Sequence, residues 1–268
     1  MNFLNADYMG FLLGVKSQQA LDIGKTHEVL LHYLPGIRFI DDPVNEQYLS
    51  LEIIISGCHS IDEERCSWSR ENKLEVRLNT VTPYPYLILG IFHSAVDLFL
   101  QEKGFFFLHS SGVLVGKSGI LFWGKRADGK STLAKLFSER GFKSIHDDRV
   151  GIADDDVMLN FRRYEIPLLE KKNLALMLTP KIIPAGTLRY WPLIQHSFLY
   201  ELFCELSDSV RSNGVIEGNI SLQSLDNPSV SAKRLSFCQD VAERLKECAF
   251  FIEGTANDIF EWVVRRLT

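Results

Sequence analysis

The sequence reads as an α/β protein built on a mixed sheet, with a small β-rich domain ahead of it. Three observations predict this. Short apolar runs separated by polar stretches fill residues 1 to about 80. Farther on, an apolar strand, a glycine loop and an amphipathic helix follow one another between Gly119 and Gly141. Hairpin-like strand pairs flank that loop, which a purely parallel sheet would lack.

In chain order, "HEVLLHYL", "YLSLEIIIS" and "KLEVRLNTV" read as strands of the first part, with "SGCHSIDEERCSWSREN" as a polar interruption. "PYPYLILGIFHSAVDLFLQEKG" reads as a helix. Pro85 stands near its first turn, where a missing N–H costs little, and Gly104 ends it. The expected domains are therefore 1–82 and 83–268, joined just before this helix. "FFFLHSSGVLV" and "GILFW" have the continuous apolar character of buried strands. "GKSTLAKLFSERG" makes a helix with Leu133, Leu136 and Phe137 on one face and a stop at Gly141. "KSIHDDRVGI" returns as a strand containing Asp147 and Asp148, and "DDDVMLNF" suggests a hairpin with its tip at Ala153-Asp154-Asp155. "PLLEKKNLALML" reads as a helix, residues 181–226 as mixed structure, and "CQDVAERLKECAFFIEGTANDIFEWVVRRL" as helix, strand, helix. Thr255 and Asp258 have the spacing of a capping box, with Asp in place of the usual Glu.

The composition narrows the function classes. Hydrophobic residues make up 46% and charged residues 24%, the balance of a soluble globular chain. A net charge of -5 argues against nucleic acid as the main partner. Five cysteines, odd in number and with no Cys-x-x-Cys pair, point to reduced thiols and away from a zinc site or a disulfide framework. The apolar stretch 87–100 is interrupted by His93 and Asp97 and is too short to span a bilayer. Asp7 stands early and no basic region precedes an apolar run, so no secretory signal is expected. The expectation is a cytoplasmic protein that engages no membrane. Strand edges in the first domain leave a homo-oligomer open.

The chemistry concentrates in residues 122–152. Gly124-x-x-x-x-Gly129-Lys130-Ser131 satisfies the Walker A pattern. Glycines let the backbone curl so that successive N–H groups face phosphate oxygens, and the helix that follows adds its positive end. A lysine at the place of Lys130 reaches the β- and γ-phosphates, and a hydroxyl at the place of Ser131 ligates Mg²⁺. Gly124, Ala127, Asp128, Gly129, Lys130, Ser131 and Thr132 are the candidate nucleotide-binding set, and Arg126 reads as solvated, with a phosphate contact as the other reading. The competing reading, a glycine turn with a surface lysine, does not account for the strand before the loop and the helix after it. Asp147 and Asp148 follow Lys130 by seventeen and eighteen residues, where a metal-holding carboxylate is needed. Adjacent residues of a strand point to opposite faces, so both serve one site only at a strand end or bulge. Paired there, like charges raise one pKa and suit it to take a proton from a hydroxyl. The competing reading is an Asp-Asp turn opening a surface hairpin.

"LHSSGVLV", "GKRADGKST", "ERGF" and "DDRVGI" together resemble the HPr kinase/phosphorylase family, whose nucleotide domain is similar to that of phosphoenolpyruvate carboxykinase. The resemblance covers roughly residues 105 to 152. It includes a histidine, His109, at the family's interval before the loop and an Asp-Asp-Arg-Val at its interval after the loop lysine. It implies a P-loop domain of that type. It further implies Asp147 as base on the acceptor hydroxyl, Asp148 nearer the metal with Ser131, and His109 near the transferring phosphate. The two aspartate roles are exchangeable, and a core histidine is the alternative for His109.

The departures are specific. "NFRRYEIPLLEKK" stands where the family has a second glycine-rich signature, Thr132 stands where an acidic residue is common, and the N-terminal segment is shorter. The chain thus looks like the shorter HPr-kinase-related proteins. Some of these phosphorylate a serine of a peptide precursor or a small molecule. The resemblance implies a kinase using ATP or GTP with Mg²⁺ and a peptide, protein or small-molecule hydroxyl acceptor. A nucleotide-binding regulatory module without phosphoryl transfer is the alternative. Carboxykinase-like chemistry on a small carboxylate ranks third, because no carboxylate-binding arginine can be placed. Arg162 and Arg163 read as a solvated strand-end pair, with a phosphate clamp as the other reading.

Overall fold

In the first part of the chain, strands β1 (Asn2–Tyr8) and β2 (Phe11–Ser17) form an antiparallel hairpin. Helix α1 (Ile23–Tyr33) and strands β3 (Arg38–Phe39), β4 (Ser50–Ser56), β5 (Arg65–Arg70) and β6 (Lys73–Asn79) follow, then helix α2 (Pro85–Glu102). This computed structural model describes residues 2–8, 11–17, 21–34, 37–40, 50–56, 65–70, 73–79, 85–102, 104–146, 150–153, 157–159, 172–193, 195–212 and 228–267.

The strands make a six-stranded mixed sheet in the order β3-β1-β2-β4-β6-β5, with β2, β4 and β6 parallel. Alternation decides its faces. Leu4, Leu13, Val15, Leu51, Ile53, Leu74 and Val76 are buried on one face, and α2 packs against β2 and β4. Asn5, Gly14, Lys16, Glu52 and Lys73 occupy the alternate positions.

One expectation fails here. "HEVLLHYL" lies in α1 and is no strand. Asp22 caps the helix by accepting a hydrogen bond from the Lys25 N–H at 2.9 Å. Thr26, Val29 and Leu30 then repeat at helical spacing on the buried side.

The second part contains β7 (Phe105–Leu108), β8 (Ser110–Val115), β9 (Ser118–Trp123), α3 (Lys130–Glu139), β10 (Lys143–His146), β11 (Val150–Ala153) and β12 (Val157–Leu159). It continues with β13 (Lys172–Ile182), β14 (Arg189–Pro192), α4 (Gln195–Ser212), α5 (Pro228–Arg244), β15 (Ala249–Gly254) and α6 (Ala256–Leu267). Its sheet is mixed. β9, β13 and β15 run parallel, and the remaining pairs are antiparallel. The protein is therefore of mixed α/β class.

Helices cover both faces of this sheet. Ile120, Phe122, Leu176 and Leu178 pack with Leu133 and Phe137 of α3 and Ile259 and Val263 of α6. The alternate residues Leu121, Trp123 and Met177 pack with Phe198 and Leu202 of α4 and Phe237 and Val241 of α5.

Packing clusters the chain into two units. Among the described residues the first holds 2–102, 207–212 and 228–232, and the second holds 104–206 and 233–267. The sequence division at 82/83 follows the change from strand to helix, whereas packing groups α2 with the first sheet.

The stretch "NLALML" belongs to strand β13 and not to a helix. β13 is a central strand with β9 on one side and β12 and β15 on the other, and helices cover both faces of the sheet, so the apolar run needs no alternation. "KSIHDDRVGI" is likewise not one strand paired along its length. β10 pairs with β8, while β11 pairs with β7. The expected hairpin is present as β11 and β12, antiparallel with Gly151 opposite Leu159. Helix, strand, helix at the C-terminus also holds, as α5, β15 and α6. The Thr255 hydroxyl accepts from the Asp258 N–H at 3.2 Å and donates to the Asp258 carboxylate at 2.6 Å. The shorter Asp thus bonds the cap hydroxyl, where a Glu would reach the cap N–H.

Candidate functional site

The loop between β9 and α3 is shaped by backbone conformations that few residues adopt. Gly124 has φ 142°, Ala127 72° and Gly129 98°. Ala127 is the only non-glycine with positive φ among the described residues, a placement that costs a residue with a Cβ about 1–2 kcal/mol. Such strain gathers where a loop is held ready for a ligand.

The two glycines are also required by space. A Cβ on Gly124 would stand 2.9 Å from Asp128 Oδ2 and 3.1 Å from Thr179 Cγ2, and one on Gly129 would stand 2.4 Å from Ile182 Cδ1. Thr179 and Ile182 come from the C-terminal end of β13, which runs parallel to β9. The Thr179 hydroxyl is buried and has no hydrogen-bond partner among the described residues.

Lys130 is 6% exposed, and its Nζ donates to the carbonyls of Gly124 and Lys125, each at 2.7 Å. The ammonium, reaching from the first turn of α3, is therefore tied to the backbone of the loop itself. Asp128 braces the loop from within, because its Oδ2 accepts from the Lys125 N–H at 2.6 Å. Lys125, Arg126 and Ala127 are exposed, as are Ser131 and Thr132 on the first helical turn.

His109 interrupts the run between β7 and β8 and is exposed. Its backbone N–H donates to Glu205 Oε1 at 2.5 Å, and the other carboxylate oxygen of Glu205 accepts from Trp123 Nε1. Trp123 is 3% exposed, packs edge-on against Phe198 of α4, and immediately precedes Gly124. One carboxylate on α4 thus joins His109 to the start of the loop. Sequence reasoning missed Glu205, Thr179 and Ile182, which belong to segments remote from the motif and carry no pattern of their own.

Asp147, Asp148 and Arg149 lie outside the described residues, as do Arg162 and Arg163. Their neighbours fix only the frame: His146 pairs with Gly112 and Val150 with Leu108, on either side of His109. Among the described residues no group of three His, Cys, Asp or Glu side chains is placed to hold a metal, and no helix is long and apolar enough to cross a membrane. Cys204, Cys238 and Cys248 are free thiols, and burial pushes Cys238 up to about 12.

The loop thus combines two glycines with no room for a Cβ, a buried lysine bonded to its carbonyls, and beside Gly124 a buried Thr179 hydroxyl with no partner among the described residues. No protein-family model and no curated protein matches the chain.

Proposed function

We propose that the protein is a Mg²⁺-dependent kinase that transfers the γ-phosphoryl group of ATP or GTP to a hydroxyl of a peptide, protein or small molecule. The observation that carries this reading is the loop from Gly124 to Lys130, with its positive φ angles, its glycines pressed against β13 and its lysine bonded to its carbonyls. The resemblance of "GKRADGKST" and "DDRVGI" to the HPr kinase family supplies the reaction type.

In this reading the loop amides and the first turn of α3 hold the triphosphate, and Lys130 leaves the Gly124 and Lys125 carbonyls to meet phosphate oxygens. Ser131 and Asp148 would hold Mg²⁺, which when bound offsets charge on the phosphates. Asp147 accepts the proton of the acceptor hydroxyl. The hydroxyl oxygen then bonds to the γ-phosphorus, and the bond from that phosphorus to the β-bridging oxygen breaks. His109, anchored through its backbone by Glu205, stands beside the transferred group. The net charge and the reduced thiols fit a cytoplasmic enzyme.

Incubation of the full chain with γ-labelled ATP or GTP, Mg²⁺, and free serine or seryl peptides tests the reading. Label is expected on an acceptor. Asp147→Asn is expected to lower transfer by about a hundredfold or more while nucleotide binding persists, and Lys130→Met to weaken binding itself. Binding without turnover on any acceptor would favour the regulatory module. Unchanged transfer by Asp147→Asn would remove that residue as the base.

A further inference from the structure

The face of the first sheet opposite its core carries a charged cluster, Lys16, Glu52 and Lys73. Gly14 is in register with Asn5 on β1 and with Glu52 on β4. Glu52 is 8% exposed, and its two carboxylate oxygens are engaged by Lys16 and Lys73, one each. Only the carboxylate is withdrawn from solvent, because the Lys16 side chain is about half exposed and that of Lys73 about a third.

A cavity of about 180 Å³ opens beside the triad. That is somewhat more than the roughly 150 Å³ known to admit benzene. Lys16, Glu52, Lys73 and Asn5 form its polar wall, and Leu12 and Ile40 stand among its apolar lining. Gly14 keeps the floor deep, because a Cβ there would come within 3.3 Å of Asn5 Oδ1. The lining residues carry two cations against one anion. Lys16 is half exposed, and its ammonium has three donors, more than a single carboxylate oxygen exhausts.

We propose that this cavity binds a small carboxylate borne on an apolar body of about four carbons. The ligand carboxylate meets Lys16, Lys73 and the Asn5 amide, and its apolar part lies along Leu12 and Ile40. Glu52 is a positioning residue that holds the two ammonium groups in place. The site lies wholly within the first unit and does not rest on the kinase reading.

The test is a titration of the ¹⁵N-labelled full chain, without nucleotide, followed by ¹H–¹⁵N NMR. Isovalerate is expected to give saturable shifts centred on the Gly14 amide. Lys16→Met should weaken them about tenfold, and Gly14→Ala, which fills the floor, should weaken them too. Isoamylamine, with the same branched five-carbon skeleton and opposite charge, should give none. Lys130→Met should leave the isovalerate shifts unchanged. The proposal is overturned by an unmoved Gly14 amide, by equal binding of isoamylamine, or by inorganic phosphate binding as tightly as isovalerate. A folded Lys16→Met that binds like the parent also overturns it.

Discussion

Gly129 stands at φ 98° with Ile182 Cδ1 2.4 Å from where a Cβ would be, so a substitution there meets two penalties, dihedral and steric. Gly129→Ala is expected to destabilise the protein by about 1–3 kcal/mol, lowering the melting temperature by several degrees. Adding Ile182→Ala should recover the steric part alone, which thermal melts of the single and double variants will separate. The need for glycine was legible in the sequence, because a Gly-Lys-Ser string after an apolar strand has few other uses. What presses on that glycine was not. Ile182 and Thr179 reach the loop only because β13 lies parallel to β9, a neighbour relation that no local pattern encodes.

At the scale of elements, α4 anchors the loop through Glu205. Glu205→Ala leaves Trp123 Nε1 and the His109 N–H without this acceptor, at an expected cost of about 1–3 kcal/mol. On the proposed role of the loop, it should also raise the nucleotide concentration needed for half-saturation, since the residue before Gly124 is no longer held. Glu205→Gln keeps an acceptor oxygen and should fall between the two. Melting curves with nucleotide titrations on the three proteins check this, and equal affinity in all three would detach Glu205 from the loop. Element type was legible where periodicity and punctuation agreed, as in α2 with Pro85 and Gly104 or α3 with Gly129 and Gly141. It misled where burial overrode pattern. "HEVLLHYL" resembles a strand until Asp22 is recognised as a cap, and "NLALML" resembles a helix because a strand covered on both faces loses its alternation.

For the whole molecule, acid is the condition that loosens both units. Burial raises the Glu52 carboxyl, but the hydrogen bonds and charges of Lys16 and Lys73 outweigh it and hold the group below its ordinary value of 4.5. In the second unit, the hydrogen bond from Lys181 holds Glu253 below the same value. A carboxyl depressed in the folded state stabilises fully above its unfolded value, and the contribution fades as pH falls through the folded one. Melting temperature is therefore expected to decline as pH drops below 4.5, with a shallower decline in Glu52→Gln. Melts between pH 7 and about pH 3 will show whether the slope changes.

The division of the chain has one more consequence, for how the protein comes into being. The first unit is not spelled by one stretch of the gene: its described parts end at 102 and resume at 207–212 and 228–232. A ribosome delivers the N-terminus first, so the glycine loop and its central strand emerge before the earlier unit has received all its pieces. A fragment cut after residue 103 would lack these returning segments, so the first unit cannot be whole until residue 232 has been made.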